Sequence, residues 1–348
     1  MRVKFFLWLI GIGLVVGIYG VVTRTLQERL EVRLTHSFDR PVKIREVHVI
    51  FPPALLLLKL TVEDSARGEK VPLLSIQQTF LRLSFLKFLQ GQRGIDLEFT
   101  SPELFVTRSP QGTFSFPLVS WLQKNSSFSM TRLRIRNGEV KLTDQAVSPE
   151  TIWIVRDLRL SMVSKGNKPQ SYLVSAIGSL EADPARSIGS VEIDGEFVPA
   201  GTTQMKVSIT QTEIERLAPY IRQIIGVAPS QGSCAIKSAA TLQNGAVVAH
   251  VDLTAHGIMF PTNEETIFGL AGNRLVELLK DKDGSIHLAF DVKGRLGESL
   301  DWSNATTAAF REAMRQALSR SIQNVLTDVE ERRPVEELLQ RGMESLGR

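Results

Sequence analysis

A single cysteine, Cys234, among 348 residues excludes an internal disulfide and any all-cysteine metal site. Aromatic residues are scarce, at 7%, and the basic excess is small: 41 Lys and Arg against 37 Asp and Glu, spread along the chain. That balance argues against a nucleic-acid partner, which requires clustered cations interleaved with aromatics. Catalytic signatures are missing as well. There is no G-x-S-x-G elbow, no Walker loop, no G-x-G-x-x-G between a strand and a helix, and no H-E-x-x-H. No nucleophile and base stand at a usable spacing, so the chain reads as non-enzymatic, with no cofactor.

The five histidines are His36, His48, His250, His256 and His287. His250 and His256 could share a strand face, but no third ligand has zinc spacing, so they read as exposed strand residues. Asp281-Lys282-Asp283-Gly284 has part of a calcium loop, yet its glycine comes too early and no Glu closes it. It reads as a turn. Cys234 lies on an alternating strand and reads as a small core residue.

One long apolar run is present. Phe5 to Val22 reads FFLWLIGIGLVVGIYGVV, behind Arg2 and Lys4. Eighteen residues at a rise of ~1.5 Å span ~27 Å, close to the hydrocarbon thickness of a bilayer. A cleaved signal peptide needs a shorter core and an A-x-A-like exit, which Gly20-Val21-Val22-Thr23-Arg24 does not offer. The expectation is therefore an uncleaved single-pass anchor. Its short basic N-terminus would stay cytoplasmic and the body would lie outside.

Beyond it, Leu26, Leu30 and Leu34 trace one stripe of a helix over Thr25–Ser37, and Pro41 ends it. From there the period becomes two. Strands are predicted at Val42–Val49, Leu55–Val62, Ile76–Phe85, Ile95–Phe99 and Glu103–Arg108, with a possible short helix at Phe85–Leu89. Leu133–Arg136 and Glu139–Leu142 flank Asn137-Gly138, a strong hairpin signal. Further strands are predicted at Val155–Met162, Tyr172–Leu180, Val191–Phe197 and Met205–Thr210.

Thr212 to Glu215 has capping-box spacing, and Ile214, Leu217, Ile221 and Ile224 form a helical stripe that Pro219 should interrupt. A hairpin joins Cys234–Leu242 to Ala246–Ala255. A short helix at Leu270–Leu279 precedes the cleanest strand, Ser285–Leu296. Ile286, Leu288, Phe290 and Val292 occupy one face of it; His287, Asp291 and Lys293 occupy the other. The tail is helical from Ser303 or Asn304 through Val329, and Pro334 opens a last helix. About fourteen strands in meander order predict a mainly β fold: an elongated antiparallel sheet that is a sandwich, a barrel or a curved trough.

The order of these segments resembles the AsmA-like superfamily of bacterial envelope proteins. Phe38 to Ile44, FDRPVKI, is similar to a G-R-P-V-x-I opening, with Asp39 where glycine is common. Leu86 to Gly91 is similar to an L-x-G step. Ser101 to Phe116 is similar to a pattern ending G-x-x-N-f, with Ser115 where Asn is common. The rear, Leu278 to Leu296, resembles the AsmA-related uncharacterised domain, with Asp291 where proline is frequent.

The resemblance implies a periplasmic groove of β-strands with an apolar inside, built like chorein-type lipid-transfer proteins. The implied arrangement is a stub and anchor at 1–23, an AsmA-like β region at 24–200, a second β region with short helices at 201–300, and amphipathic helices at 301–348. It implies a protein tethered to the bacterial inner membrane that binds or transfers phospholipid and supports outer-membrane biogenesis. Ile286, Leu288, Phe290, Val292, Val191, Ile193 and Phe197 are its candidate groove residues. Envelope proteins are possible partners. The competing reading is a non-enzymatic scaffold for outer-membrane proteins, with a core too filled to admit lipid.

Overall fold

The computed structural model describes residues 2–50, 54–64, 72–83, 94–115, 130–166, 170–182, 186–199, 201–261, 266–267, 269–295 and 302–328. A helix, α1 (Arg2–Phe38), leads into a twelve-stranded sheet. The front strands are β1 (Val42–Ile50), β2 (Ala54–Glu63), β3 (Pro72–Leu83), β4 (Ile95–Arg108) and β5 (Met130–Asp144). The middle strands are β6 (Thr151–Ser164), β7 (Tyr172–Ala182), β8 (Arg186–Phe197) and β9 (Thr203–Glu213). After α2 (Ile214–Ile225) come β10 (Gln231–Gln243), β11 (Ala246–Met259) and a two-residue pair, β12 (Thr266–Ile267) with β13 (Leu270–Ala271). The chain ends its described part with α3 (Gly272–Leu279), β14 (Ser285–Arg295) and α4 (Trp302–Asp328).

Strand order follows the sequence from β1 to β11, with β14 last. The sheet is open, with edges at β1 and β14. Twelve strands at ~4.8 Å spacing place those edges ~53 Å apart. Within the sheet, β8 and β9 are paired from Ser190↔Thr210 to Glu196↔Gln204.

Three sequence expectations give way here. The sheet is mixed rather than wholly antiparallel, because β4 and β5 are parallel in register from Ile95↔Met130 to Arg108↔Asp144. The connection between Arg108 and Met130 is long enough to carry the chain back to the starting end, which a parallel pair requires. Second, Asn137-Gly138 is no hairpin. A type I′ turn needs positive φ at both central residues; only Asn137 has it, at 52°. The pair is a bulge inside β5, opposite β6, where the register shifts between Ile135 and Val140. Ile95–Phe99 and Glu103–Arg108 likewise join into β4 around Ser101, at φ 49°. Third, the capping box does not form. Thr212 stays on β9 opposite Cys234, and the N-cap is Glu213, which makes no side-chain capping hydrogen bond to the helix. Pro219 lies within α2, which continues as one helix, held by the packing of its apolar stripe.

These bulges are in line. Lys59 on β2 (φ 50°), Ser101, Asn137 and Asp157 on β6 (φ 51°) are all left-handed. Pairing lapses beside each, as at Leu58↔Gln78 then Leu60↔Ile76, Gln78↔Thr100 then Ile76↔Pro102, and Thr100↔Arg136 then Glu103↔Glu139; the register is unchanged there and shifts on both sides of β6. The result is a transverse crease across the front half of the sheet. A bulge bends its strand and increases local twist. It also moves the apolar phase by one residue, so Leu55 and Leu57 share a face with Leu60 and Val62 rather than opposing them.

Helices cover the two ends of that face. Leu26, Leu30, Leu34 and Phe38 of α1 pack on Val42, Ile44, Leu60 and Val62. At the rear, α2, α3 and α4 enclose the largest core, where Cys234, Ile286 and Leu288 meet Leu275, Phe310, Met314 and Leu318. The side chains of α1 are described from Tyr19 onward. Among described residues no helix carries a stretch long and apolar enough to cross a membrane. The expected span Phe5–Val22 lies on α1, but its side chains before Tyr19 are outside the described ones. The expected helices at Phe85–Leu89 and after Pro334 fall outside the described residues.

Candidate functional site: an apolar face running the length of the sheet

Paired residues of neighbouring strands point to the same side. Following pairs across the sheet therefore traces transverse rows. One row starts at Val49 and passes through Leu55, Leu81, Leu97, Leu133 and Met162 to Val174. It continues through Gly195, Met205, Ala240 and Ala249 to Val292. Every position of it is apolar. A second row runs from Val47 and Leu57 through Phe99, Ile135, Leu160 and Ala176. It then passes Ile193, Val207 and Val251 to Phe290, broken only by Thr79 and Ser238. A third, behind the crease, links Val191, Ile209, Ile236, Leu253 and Leu288. Three rows two residues apart make a band ~13 Å wide.

The opposite face is mainly polar. The row starting at His48 passes Leu56 and Phe80 on β2 and β3, then Glu98, Arg134, Ser161, Ser175 and Asp194, then Lys206, Ala239, His250 and Asp291. Ion pairs stud it, such as Arg136–Glu98 at 3.0 Å and Arg156–Glu139 at 3.2 Å. His250 lies 2.7 Å from Asp291 and 3.4 Å from Asp252, and the hydrogen bond to Asp291 raises its pKa. His250 and His256 are six residues apart on β11, ~20 Å along a strand, too far to share an ion.

All seven groove candidates project from the apolar face, but their surroundings differ. Val191 and Ile193 are half-buried in mid-sheet, and Phe197 pairs with Tyr172 at the strand end, ring centroids 6.4 Å apart. Those on β14 lie against protein. Leu288 is 5% exposed and Ile286 7%, both inside the rear core, while Phe290 meets Phe310 edge-on at 5.7 Å. Val292 is buried too. The half-buried stretch lies between the covered ends and includes Leu97, Leu133, Leu160, Val174, Met205 and Val207. The alternation marks each of these as one-sided; only the register reveals that they form continuous rows.

A polar lock fastens α2 beside this stretch. Tyr220 donates to Asp144 Oδ2 at 2.9 Å, and Trp153 Nε1 donates to the Tyr220 hydroxyl at 3.0 Å. Arg108 completes it, 3.2 Å from the same carboxylate oxygen. Burial is the main reason the Tyr220 phenol is pushed far above its ordinary pKa. Asp64 pairs with Arg40, whose guanidinium also donates to the Ser115 carbonyl at 2.8 Å.

Two other places hold chemistry-bearing groups. On the polar face, a depression of about 420 Å³ at the crease is lined by Arg45, Lys59, Glu46 and Glu103, a mixture that favours neither sign of ligand. Ligand-type atoms of Asp281, Asp283 and His287 lie within 4.8 Å of one another, all exposed. Here Asp283 Oδ1 accepts from the Ser285 hydroxyl at 2.6 Å and from its N–H at 3.1 Å, and Gly284 N–H donates to Asp281. Those bonds close the turn from α3 to β14, and the two from Ser285 hold the Asp283 pKa down.

No protein-family model matches the chain, and no curated protein matches it. The fold itself defines a class: an open, two-faced, mainly β sheet, apolar along one side and capped by helices at both ends.

Proposed function

We propose that this is a membrane-tethered, non-enzymatic protein whose apolar sheet face holds phospholipid acyl chains, curved as a groove, in the manner of the AsmA-like proteins its motifs resemble. In this reading Phe5–Val22 is the inner-membrane anchor and the sheet stands in the periplasm, supporting outer-membrane biogenesis. The observation that carries it is the unbroken apolar row from Val49 to Val292, backed by a mainly polar opposite face. A soluble sheet has no packing reason to keep a one-sided apolar row where no helix of the described chain lies along it. A lipid tail supplies one. Each buried methylene contributes ~0.8 kcal/mol, so ten contribute ~8 kcal/mol, while the headgroup stays in water.

The test is lipid recovered with the purified full chain, measured by mass spectrometry, against an Ile193→Asp/Val207→Asp variant. Both residues are half-buried and adjacent in one row. The groove reading expects bound phospholipid to fall at least several-fold with the sheet retained. Unfolding of the variant would favour the filled scaffold, since buried unpaired charges cost several kcal/mol. Unchanged lipid would refute this placement.

A further inference from the structure

The two edges of the sheet are treated differently. Along β1, side chains of α1 occupy the backbone groups that face away from β2. Val42 N–H donates to Thr35 Oγ1 at 3.1 Å, and Ile44 N–H donates to Glu31 Oε1 at 2.7 Å. Gln27 donates to the Ile44 carbonyl at 2.7 Å, and Val49 N–H donates to the Tyr19 hydroxyl at 3.3 Å. Tyr19, Gln27, Glu31 and Thr35 recur at multiples of four, one position beyond the leucine stripe. One helix thus packs its leucines on the face and its polar stripe on the edge.

The β14 edge has no such seal. Among the described residues no side chain bonds to the backbone of 286–295. Its eleven residues pair with β11 without a register shift, from Ala246↔Arg295 to His256↔Ser285. It contains no proline. About half of its residues turn N–H and C=O away from β11. Natural sheets blunt such edges with bulges, prolines or a covering element, and a long regular edge left bare is a template for another strand. The helix α4 lies over the apolar face, through Phe310 against Phe290, and meets α2 where Arg311 donates to the Ile224 carbonyl at 2.7 Å.

We infer that the β14 edge receives an extended segment of a different protein, which adds a thirteenth strand and continues the sheet. The segment's chemistry follows from the rows that end there. It must be apolar at alternate positions to extend Leu288, Phe290 and Val292. On the polar face it needs a cation opposite Asp291 and an acceptor or anion opposite Lys293. Main-chain hydrogen bonds supply the affinity in this mode, and alternate side chains supply the selectivity. A second copy fits poorly. Antiparallel pairing of two β14 edges would put their α1 helices ~110 Å apart and point them in opposite directions, because α1 runs antiparallel along β1, with Thr35 at Val42 and Tyr19 at Val49. Two copies tethered in one membrane cannot adopt that arrangement, a choice that rests on α1 being the anchor; the bare edge itself does not.

The experiment is residue-resolved hydrogen exchange on the full chain in detergent micelles. A synthetic peptide with the sequence of Ala246–Met259 and Val248→Glu serves as probe, because that strand already presents Leu253, Val251, Ala249 and His250 to Leu288, Phe290, Val292 and Asp291, and the substitution supplies the anion opposite Lys293. Alternate amides of β14 should exchange at least tenfold faster than those of Val42, Ile44 and Val49. The peptide should protect them saturably, and a scrambled peptide should not. Uniform protection of β14 in the dilute free chain would overturn the inference, as would failure of the peptide to protect. Protection that grows with protein concentration, together with a doubled mass, would replace the foreign strand by a second copy. None of these outcomes bears on lipid binding, so the two readings fail separately.

Discussion

Glycine in the middle of a strand normally destabilises, yet at the crease it should stabilise. Lys59 is exposed and held at φ 50°. A residue with a Cβ pays roughly 1–2 kcal/mol for the left-handed conformation. Glycine avoids that strain but costs about 0.5–1 kcal/mol in backbone entropy. Lys59→Gly should therefore gain roughly 0.5–1 kcal/mol. Lys237, exposed in mid-β10 without positive φ, is the control, and Lys237→Gly should lose about 0.5–1 kcal/mol. Chemical denaturation followed by strand dichroism compares the two at equal protein and detergent concentrations. If Lys59→Gly destabilises as much as Lys237→Gly, the crease is not left-handed at β2, and the phase shift that keeps Leu57 and Leu60 on one face loses its basis. Asn137→Val, a β-branched residue at φ 52°, should lose at least 1–3 kcal/mol on the same assay.

Core truncation should separate the covered and uncovered parts of the apolar face: Leu288→Ala, inside the rear core, should cost about 2–5 kcal/mol, and half-buried Leu160→Ala clearly less, by denaturation midpoint. Burial raises the Cys234 thiol from 9.0 to about 11. Its contribution to stability is therefore complete below pH 9 and is lost as the pH climbs toward 11. Thiol labelling at pH 8 should be slow in the folded chain and fast in denaturant, and rapid labelling of the native protein would contradict the buried placement. The raised pKa of His250 means its ion pair with Asp291 stabilises at acidic pH and fades as the pH rises through that value. Asp291→Asn should lower it in a proton NMR titration, and an unmoved titration would deny the contact.

Much of this was legible in the sequence, for stated reasons. The stripe Ile214, Leu217, Ile221, Ile224 forms α2, uninterrupted at Pro219, and Gly226 closes it in the left-handed conformation at φ 85°. The alternation at Ser285–Leu296 assigns both faces of β14 correctly. The crease was hidden because a hairpin and an in-strand bulge produce the same signal. In both, Leu133 and Ile135 precede Asn-Gly, and Val140 and Leu142 follow one phase later. Only the neighbouring strands distinguish them. The parallel β4–β5 pair was hidden for a similar reason, since alternation carries no strand direction. The rear cover over Leu288 could not be read locally either, because Phe310 reaches it from α4, on the far side of the β14–α4 connection.

The central claim is that acyl chains lie on the uncovered middle of the apolar face. A phospholipid carrying a photoactivatable group near its acyl terminus, incubated with the full chain and mapped by peptide mass spectrometry, tests it directly. Cross-links should fall on Leu133, Leu160, Val174, Ile193, Met205 and Val207, and not on Ser161, Ser175, Asp194 or Lys206 one residue away on the other side. Cross-links distributed over both sets, or absent while the label reaches only α1, would contradict the claim.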